Sequence, residues 1–139
     1  VIEYNCRMGD PETEVVMPRL QNDLLELFQS VIDGTLSAQT IYEDSRVATT
    51  VMLVAGGYPE AYEKGKVITN IPAPTQDQLV FQAGTKASGG DILTNGGRVL
   101  TITSLASDLG IALSHSRQTA ESIDFEGKYY RRDIGFEFV

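Results

Sequence analysis

One cysteine, Cys6, and one histidine, His115, are all that this chain offers of thiol and imidazole. A lone cysteine forbids an internal disulfide, and a lone histidine excludes a histidine-rich metal site. No apolar run approaches the ~20 residues that span a bilayer, and the first residues lack the basic and apolar regions of a secretory signal. Positive charge is also scarce, with 11 Lys and Arg against 19 Asp and Glu for a net charge of −8. Nucleic acid and anionic membranes, which attract clusters of Lys and Arg, are therefore not expected as main partners. Internal repeats and low-complexity tracts are absent too. These absences leave a soluble, cytoplasmic protein as the expectation.

What is present fits one modest core: 139 residues, 42% hydrophobic and 22% charged. The run Glu3-Tyr4-Asn5-Cys6-Arg7-Met8-Gly9-Asp10-Pro11-Glu12 is the most informative. A strand over Val1 to Arg7 would put Glu3, Asn5 and Arg7 on one face and Ile2, Tyr4 and Cys6 on the other. A carboxylate and an amide oxygen so spaced can reach one hard cation, and Mg2+ favours such ligands beside nucleotide phosphates. The same alternation also describes a half-buried strand with a solvated polar face. Likewise, Asp10 as N-cap, Pro11 at the first helical position, and Glu12 and Glu14 in the first turn are ordinary helix-start features. Cys6 is expected to be buried, and His115 to lie on the surface of a helix. Because Val1 has no methionine before it and stands inside what reads as a strand, the chain is expected to be a piece of a longer polypeptide.

Farther along, Val16, Leu20, Leu24, Leu27, Phe28 and Val31 recur at three- and four-residue steps, predicting an amphipathic helix over 11–33 with Gly34 as its stop. A turn-like stretch over 36–45 precedes a buried strand over 46–55, a helical turn near 59–63 and a brief strand at 67–69. Strands over 79–86 and 92–94 flank Gly89-Gly90. Asn95-Gly96 signals a hairpin into a strand over 98–104. Ser107 or Asp108 caps a second helix with an inward stripe of Leu109, Leu113, Ser116, Ala120 and Ile123, and a last strand follows near 129–138. Segregated strands with two helices predict an α+β fold, divided near 34–45 into residues 1–34 and 35–139.

The blocks Val1 to Thr13, Gly56-Gly57-Tyr58-Pro59, Ala83-Gly84-Thr85, Thr94-Asn95-Gly96-Gly97-Arg98-Val99-Leu100 and Tyr130-Arg131-Arg132-Asp133-Ile134-Gly135 together resemble the C-terminal part of the phosphoribosylamine-glycine ligases. They follow that family's order over nearly the whole chain. The resemblance implies an ATP-grasp ligase of purine biosynthesis, which joins glycine to 5-phosphoribosylamine while ATP becomes ADP and phosphate. It implies the closing strand and helix of an ATP-grasp domain, followed by a small sheet-rich domain of the rudimentary single-hybrid-motif type. The adenine pocket, the phosphate-covering loop and the lysines of such a site would lie upstream, so this chain alone is expected to be inactive.

The same resemblance implies roles for individual residues. Glu3 and Asn5 match the metal-binding pair, for Mg2+ or Mn2+. Arg7 and Asp10 are the implied catalytic residues, Arg7 suiting a carboxylate or acyl phosphate and Asp10 the glycine ammonium. The turn Asn95, Gly96, Gly97 and Arg98 faces the cleft between domains in that family and is a candidate for holding phosphoribosylamine; on local grounds a plain hairpin is the favoured reading. Arg131, Arg132 and Asp133 read as a structural charge cluster. Gln82 departs from the pattern, since relatives commonly carry histidine there. Two alternatives stay open. One is another ATP-grasp enzyme of purine synthesis, although the carboxylase type carries a Pro-Arg and histidine motif where this chain has Gly9-Asp10-Pro11-Glu12. The other is a non-catalytic binding module on the hybrid-motif scaffold, without the lysine turn of a biotin or lipoyl carrier.

Overall fold

The computed structural model describes residues 1, 2, 4 and 6–138 and has the α+β character expected. Strands β1 (Val47–Val54), β2 (Val67–Ile68), β3 (Gln78–Gln82), β4 (Thr85–Ser88), β5 (Asp91–Thr94) and β6 (Arg98–Ala106) form two antiparallel sheets, ordered β1-β6-β3 and β2-β5-β4. Helices α1 (Thr13–Val16), α2 (Leu24–Ile32) and α3 (Leu109–Ser122) complete the fold. No helix among the described residues is long and apolar enough to cross a membrane.

Strand β6 is the structural centre. It pairs on both sides, with Val51 opposite Ile102 in β1 and Val80 opposite the same residue in β3. Both of its faces are covered, which explains why Val99 to Ala106 is buried throughout instead of alternating. Helix α3 lies on one face, with Ala112, Leu113, Ser116 and Ala120 buried and the Ser116 hydroxyl 3.0 Å from the Thr49 hydroxyl. Segment α1 lies on the other face, where the Thr103 hydroxyl donates to the Glu14 carbonyl at 2.9 Å. Neighbouring strand residues point to opposite faces, so Thr49 serves α3 while Thr50 meets Thr103 on the α1 side. Leu53, Val99, Leu100, Ile102, Ile123 and Phe125 form the heart of the core.

The predicted helix over 11–33 is divided. Pro18 ends α1 because its nitrogen cannot donate, and the chain tightens into a 3-10 turn over Met17–Arg19. Leu20 is then extended and bridges to Glu43, and α2 starts afresh under the Asp23 carboxylate, which accepts from the Leu25 and Glu26 N–H groups. Only Leu27 and Ser30 of α2 are buried, whereas Leu25 is 77% and Ile32 is 78% exposed.

The predicted strand over 79–86 breaks at Ala83–Gly84 and serves both sheets. Asn95-Gly96 is a crossing between sheets rather than a hairpin, because β5 pairs with β2 and β4 while β6 pairs with β1 and β3. The tight reversal is Gly89-Gly90, between paired Ser88 and Asp91. Residues 59–63 turn without forming a helix, and the stretch over 129–138 gives one bridge, Val54 to Tyr129, then turns and a 3-10 segment at Phe136–Phe138. Of the expected strand over 1–7, the described residues Val1, Ile2, Tyr4, Cys6 and Arg7 are not in a strand, since no described strand lies beside them to complete a ladder. Cys6 is exposed for the same reason, contrary to the buried position expected.

Candidate functional site

The turn before α1 is knotted by short-range bonds. The Gly9 carbonyl accepts from the Thr13 N–H at 3.0 Å and the Thr13 hydroxyl at 2.6 Å, and the Gly9 N–H donates to the Glu12 carboxylate at 3.0 Å. The N-cap position is Glu12, and no side chain caps α1. Asp10 is therefore not the N-cap, and Pro11 precedes the helix instead of opening it. With four residues, α1 also supplies little of the dipole that a longer helix would present to an anion.

Asp10 is held by Arg98 instead, 88 residues away in sequence. Nη2 of Arg98 lies 3.1 Å from the Asp10 carboxylate, and Nη1 donates to the Asp10 carbonyl at 3.2 Å. The fold thus joins two sequence-predicted residues that are far apart in the chain. The crossing that carries Arg98 is fixed by backbone bonds. Gly84 N–H donates to the Arg98 carbonyl at 2.7 Å, Asn95 N–H to Gly84 at 2.7 Å, and Ala55 N–H to Gly97 at 2.8 Å. A Cβ on Gly84 would stand 2.4 Å from the Arg98 carbonyl, and one on Gly97 would stand 2.1 Å from the Tyr58 ring. The glycines of this crossing hence serve close approach. Gly97 is buried, while Asn95 and Arg98 are exposed.

Beside the Asp10–Arg98 pair opens an apolar cleft of about 300 Å³, walled by Pro11, Val51, Met52, Tyr58 and Tyr129, with Arg98 at its edge. Tyr58 stands in a tilted ring pair with Tyr62, their centroids 6.1 Å apart. Tyr58 was not among the candidate site residues, and its only signal in the sequence is the Gly-Gly-Tyr-Pro block. The pairing of Asp10 with Arg98 left only one mark in the sequence, their complementary charge.

Arg7 is exposed and donates to the neighbouring Met8 carbonyl at 3.1 Å. Glu3 and Asn5, the expected metal pair, lie outside the described residues. Among the described residues, no group of three His, Cys, Asp or Glu could hold a metal ion. The cluster near the C-terminus is internally paired. Arg131 reaches Asp133 at 2.8 Å and holds that carboxyl below its ordinary range, while Arg132 lies over the Tyr130 ring at 5.5 Å. Burial raises the Tyr130 phenol, with the Glu121 charge adding to the shift.

Comparison with known proteins matches residues 48–137 to a family model described as phosphoribosylglycinamide synthetase, C domain. A phosphoribosylamine–glycine ligase of Allochromatium vinosum is 46% identical over 140 residues, covering 100% of this chain and 33% of the relative. A trifunctional purine biosynthetic protein, adenosine-3, of Bos taurus is 45% identical over 141 residues, with 14% of its length covered. The crystal structure of a phosphoribosylamine–glycine ligase from Thermotoga maritima superposes with a TM-score of 0.75 at 38% identity, over 96% of this chain and 32% of that one. The chain thus spans about a third of the length of the single-function ligases it matches.

Proposed function

Because the chain belongs to the phosphoribosylglycinamide synthetase family, carrying its C domain at residues 48–137, we propose that it is the C-terminal part of the ATP-dependent ligase that makes glycinamide ribonucleotide. In this reading, the glycine carboxylate takes the terminal phosphoryl group of ATP to give an acyl phosphate and ADP. The amine of 5-phosphoribosylamine attacks the acyl carbon, phosphate leaves, and an amide remains. The observation that carries the reading is the match of the whole chain, at 46% identity, to a phosphoribosylamine–glycine ligase.

The residues fit that chemistry in stated ways. Glu3 and Asn5 offer one carboxylate and one amide oxygen, a donor set suited to a hard cation, Mg2+ or Mn2+. Such an ion, when bound, neutralises charge on the phosphates. Arg7 would face a carboxylate or acyl phosphate, Asp10 the glycine ammonium, and Asn95, Gly96 and Gly97 of the crossing the phosphoribosylamine, while Arg98 of the same crossing is engaged with Asp10. Residues 1–34 would close an ATP-grasp domain and 35–139 would form the C-terminal domain, in a cytoplasmic enzyme. The first residues would become a strand when neighbouring strands offer them a ladder.

The test uses the longer enzyme that contains this chain and measures ADP release. Release is expected to require both glycine and phosphoribosylamine, and equal release without glycine would remove the assignment. Glu3→Gln in the same enzyme is expected to lower kcat and raise the Mg2+ concentration needed for half-maximal rate. An unchanged Mg2+ requirement would take Glu3 out of the metal site.

A further inference from the structure

We propose that Arg98 is a positioning residue, whose guanidinium clamps the turn over residues 9–13 through Asp10 and thereby sets where the Asp10 carboxylate stands. The proposal rests on the ligase reading for its consequence in catalysis, but its mechanical part stands on geometry alone. A guanidinium is a rigid planar fork, and here two of its arms meet the carboxylate and the carbonyl of one residue, at 3.1 and 3.2 Å. Gripping both a side-chain and a main-chain oxygen fixes rotation about the Asp10 backbone as well as the place of its charge.

The clamp is anchored at one end only. Arg98 opens β6, its carbonyl is held by the Gly84 N–H, and the next residue, Val99, is fully buried. By contrast, the turn it grips is closed by bonds among Gly9, Glu12 and Thr13, which set its local shape but not its place on the sheet. Downstream, the turn is tied to the sheet by the Thr103 hydroxyl on the Glu14 carbonyl. Arg98 supplies the second point, and two points fix an orientation. Its side chain is 42% exposed and that of Asp10 is 56% exposed, so the pair is a surface ion pair that contributes little to overall stability. Its loss should register in the order of the turn rather than in the fold.

Two measurements test this. In the 139-residue chain, hydrogen exchange of the Thr13, Val15 and Val16 amides in Arg98→Gln should quicken about two- to fivefold, as expected for one lost exposed ion pair, with an unchanged unfolding midpoint. Arg98→Lys should fall between the two. In the longer enzyme, Arg98→Gln should lower kcat/KM for glycine with the KM for phosphoribosylamine unchanged, and in an Asp10→Asn background it should cost nothing further. Unchanged exchange would overturn the clamp. So would a raised phosphoribosylamine KM that adds to the effect of Asp10→Asn, because Arg98 would then touch substrate directly. If the wild-type longer enzyme releases ADP without glycine, the ligase reading falls, while the exchange result still decides the clamp.

Discussion

Gly97 occupies a point where one methyl group would meet two aromatic rings, Tyr58 at 2.1 Å and Tyr62 at 3.0 Å. To admit it the Tyr58 ring would have to shift, and because the two rings pack against each other the shift would reach Tyr62. Gly97→Ala is therefore expected to destabilise the chain by about 1–3 kcal/mol, the usual cost of forcing extra volume into a packed site. Denaturant unfolding would measure it. In a Tyr58→Ala background the same substitution should cost less than half as much, and equal costs in both backgrounds would clear Tyr58 of the clash. The backbone that carries Arg98 to Asp10 is shaped by this contact, so the residue with no side chain helps to place the one with the longest reach.

Among the elements, α2 shows how a helix can be well specified locally and weakly held globally. Asp23 satisfies two of its first N–H groups, at 2.8 and 3.3 Å, and the Gly34 reversal ends it, yet it buries little. Asp23→Ala should cost about 1 kcal/mol of helix stability. The loss should appear as faster exchange of the α2 amides and a lower helical signal, with the exchange of β6 unaffected. If β6 loosened equally, α2 would belong to the same cooperative unit as the sheet. The sequence periodicity over 11–33 was correctly apolar and incorrectly continuous. Three- and four-residue spacing survives a proline and a mid-segment cap, and only Pro18 and Asp23 themselves mark the division. Strands β1 and β6 and helix α3 were legible because apolar runs and an Asp cap leave few competing structures. Sheet membership was not legible, since Asn-Gly chemistry fits either a hairpin or a crossing, and only long-range pairing decides. In the site, residue types were readable and their meeting was not. Nothing local in Asp10 points to a partner 88 positions away.

For the molecule as a whole, one joint between the first segment and the sheet gathers at Asp44. Arg46 holds Asp44 through Nε and Nη2, the latter at 2.7 Å, and also pairs with Asp77, while Arg19 donates to the Asp44 carbonyl at 3.2 and 3.1 Å. Asp44 and Arg19 are further linked through the backbone at 2.7 Å, so the residues before and after the α2 excursion are drawn to one place. Hydrogen bonds from Arg46 hold the Asp44 carboxyl at about 2, below its ordinary 3.8. Between those values the unfolded chain binds the proton and the folded chain does not, so stability rises with pH across that window. The contribution is complete above the unfolded value and is lost as pH falls through the folded one. Chemical unfolding midpoints are therefore expected to fall as pH is taken from 3.8 towards 2. Asp44→Asn should lower the midpoint at neutral pH and flatten the acid slope. A residual slope is expected, because Lys66 and Arg131 likewise hold Glu63 and Asp133 below their ordinary values. An Asp44→Asn chain with the full wild-type slope would place the acid sensitivity in those other pairs and leave the joint held by its backbone bonds alone.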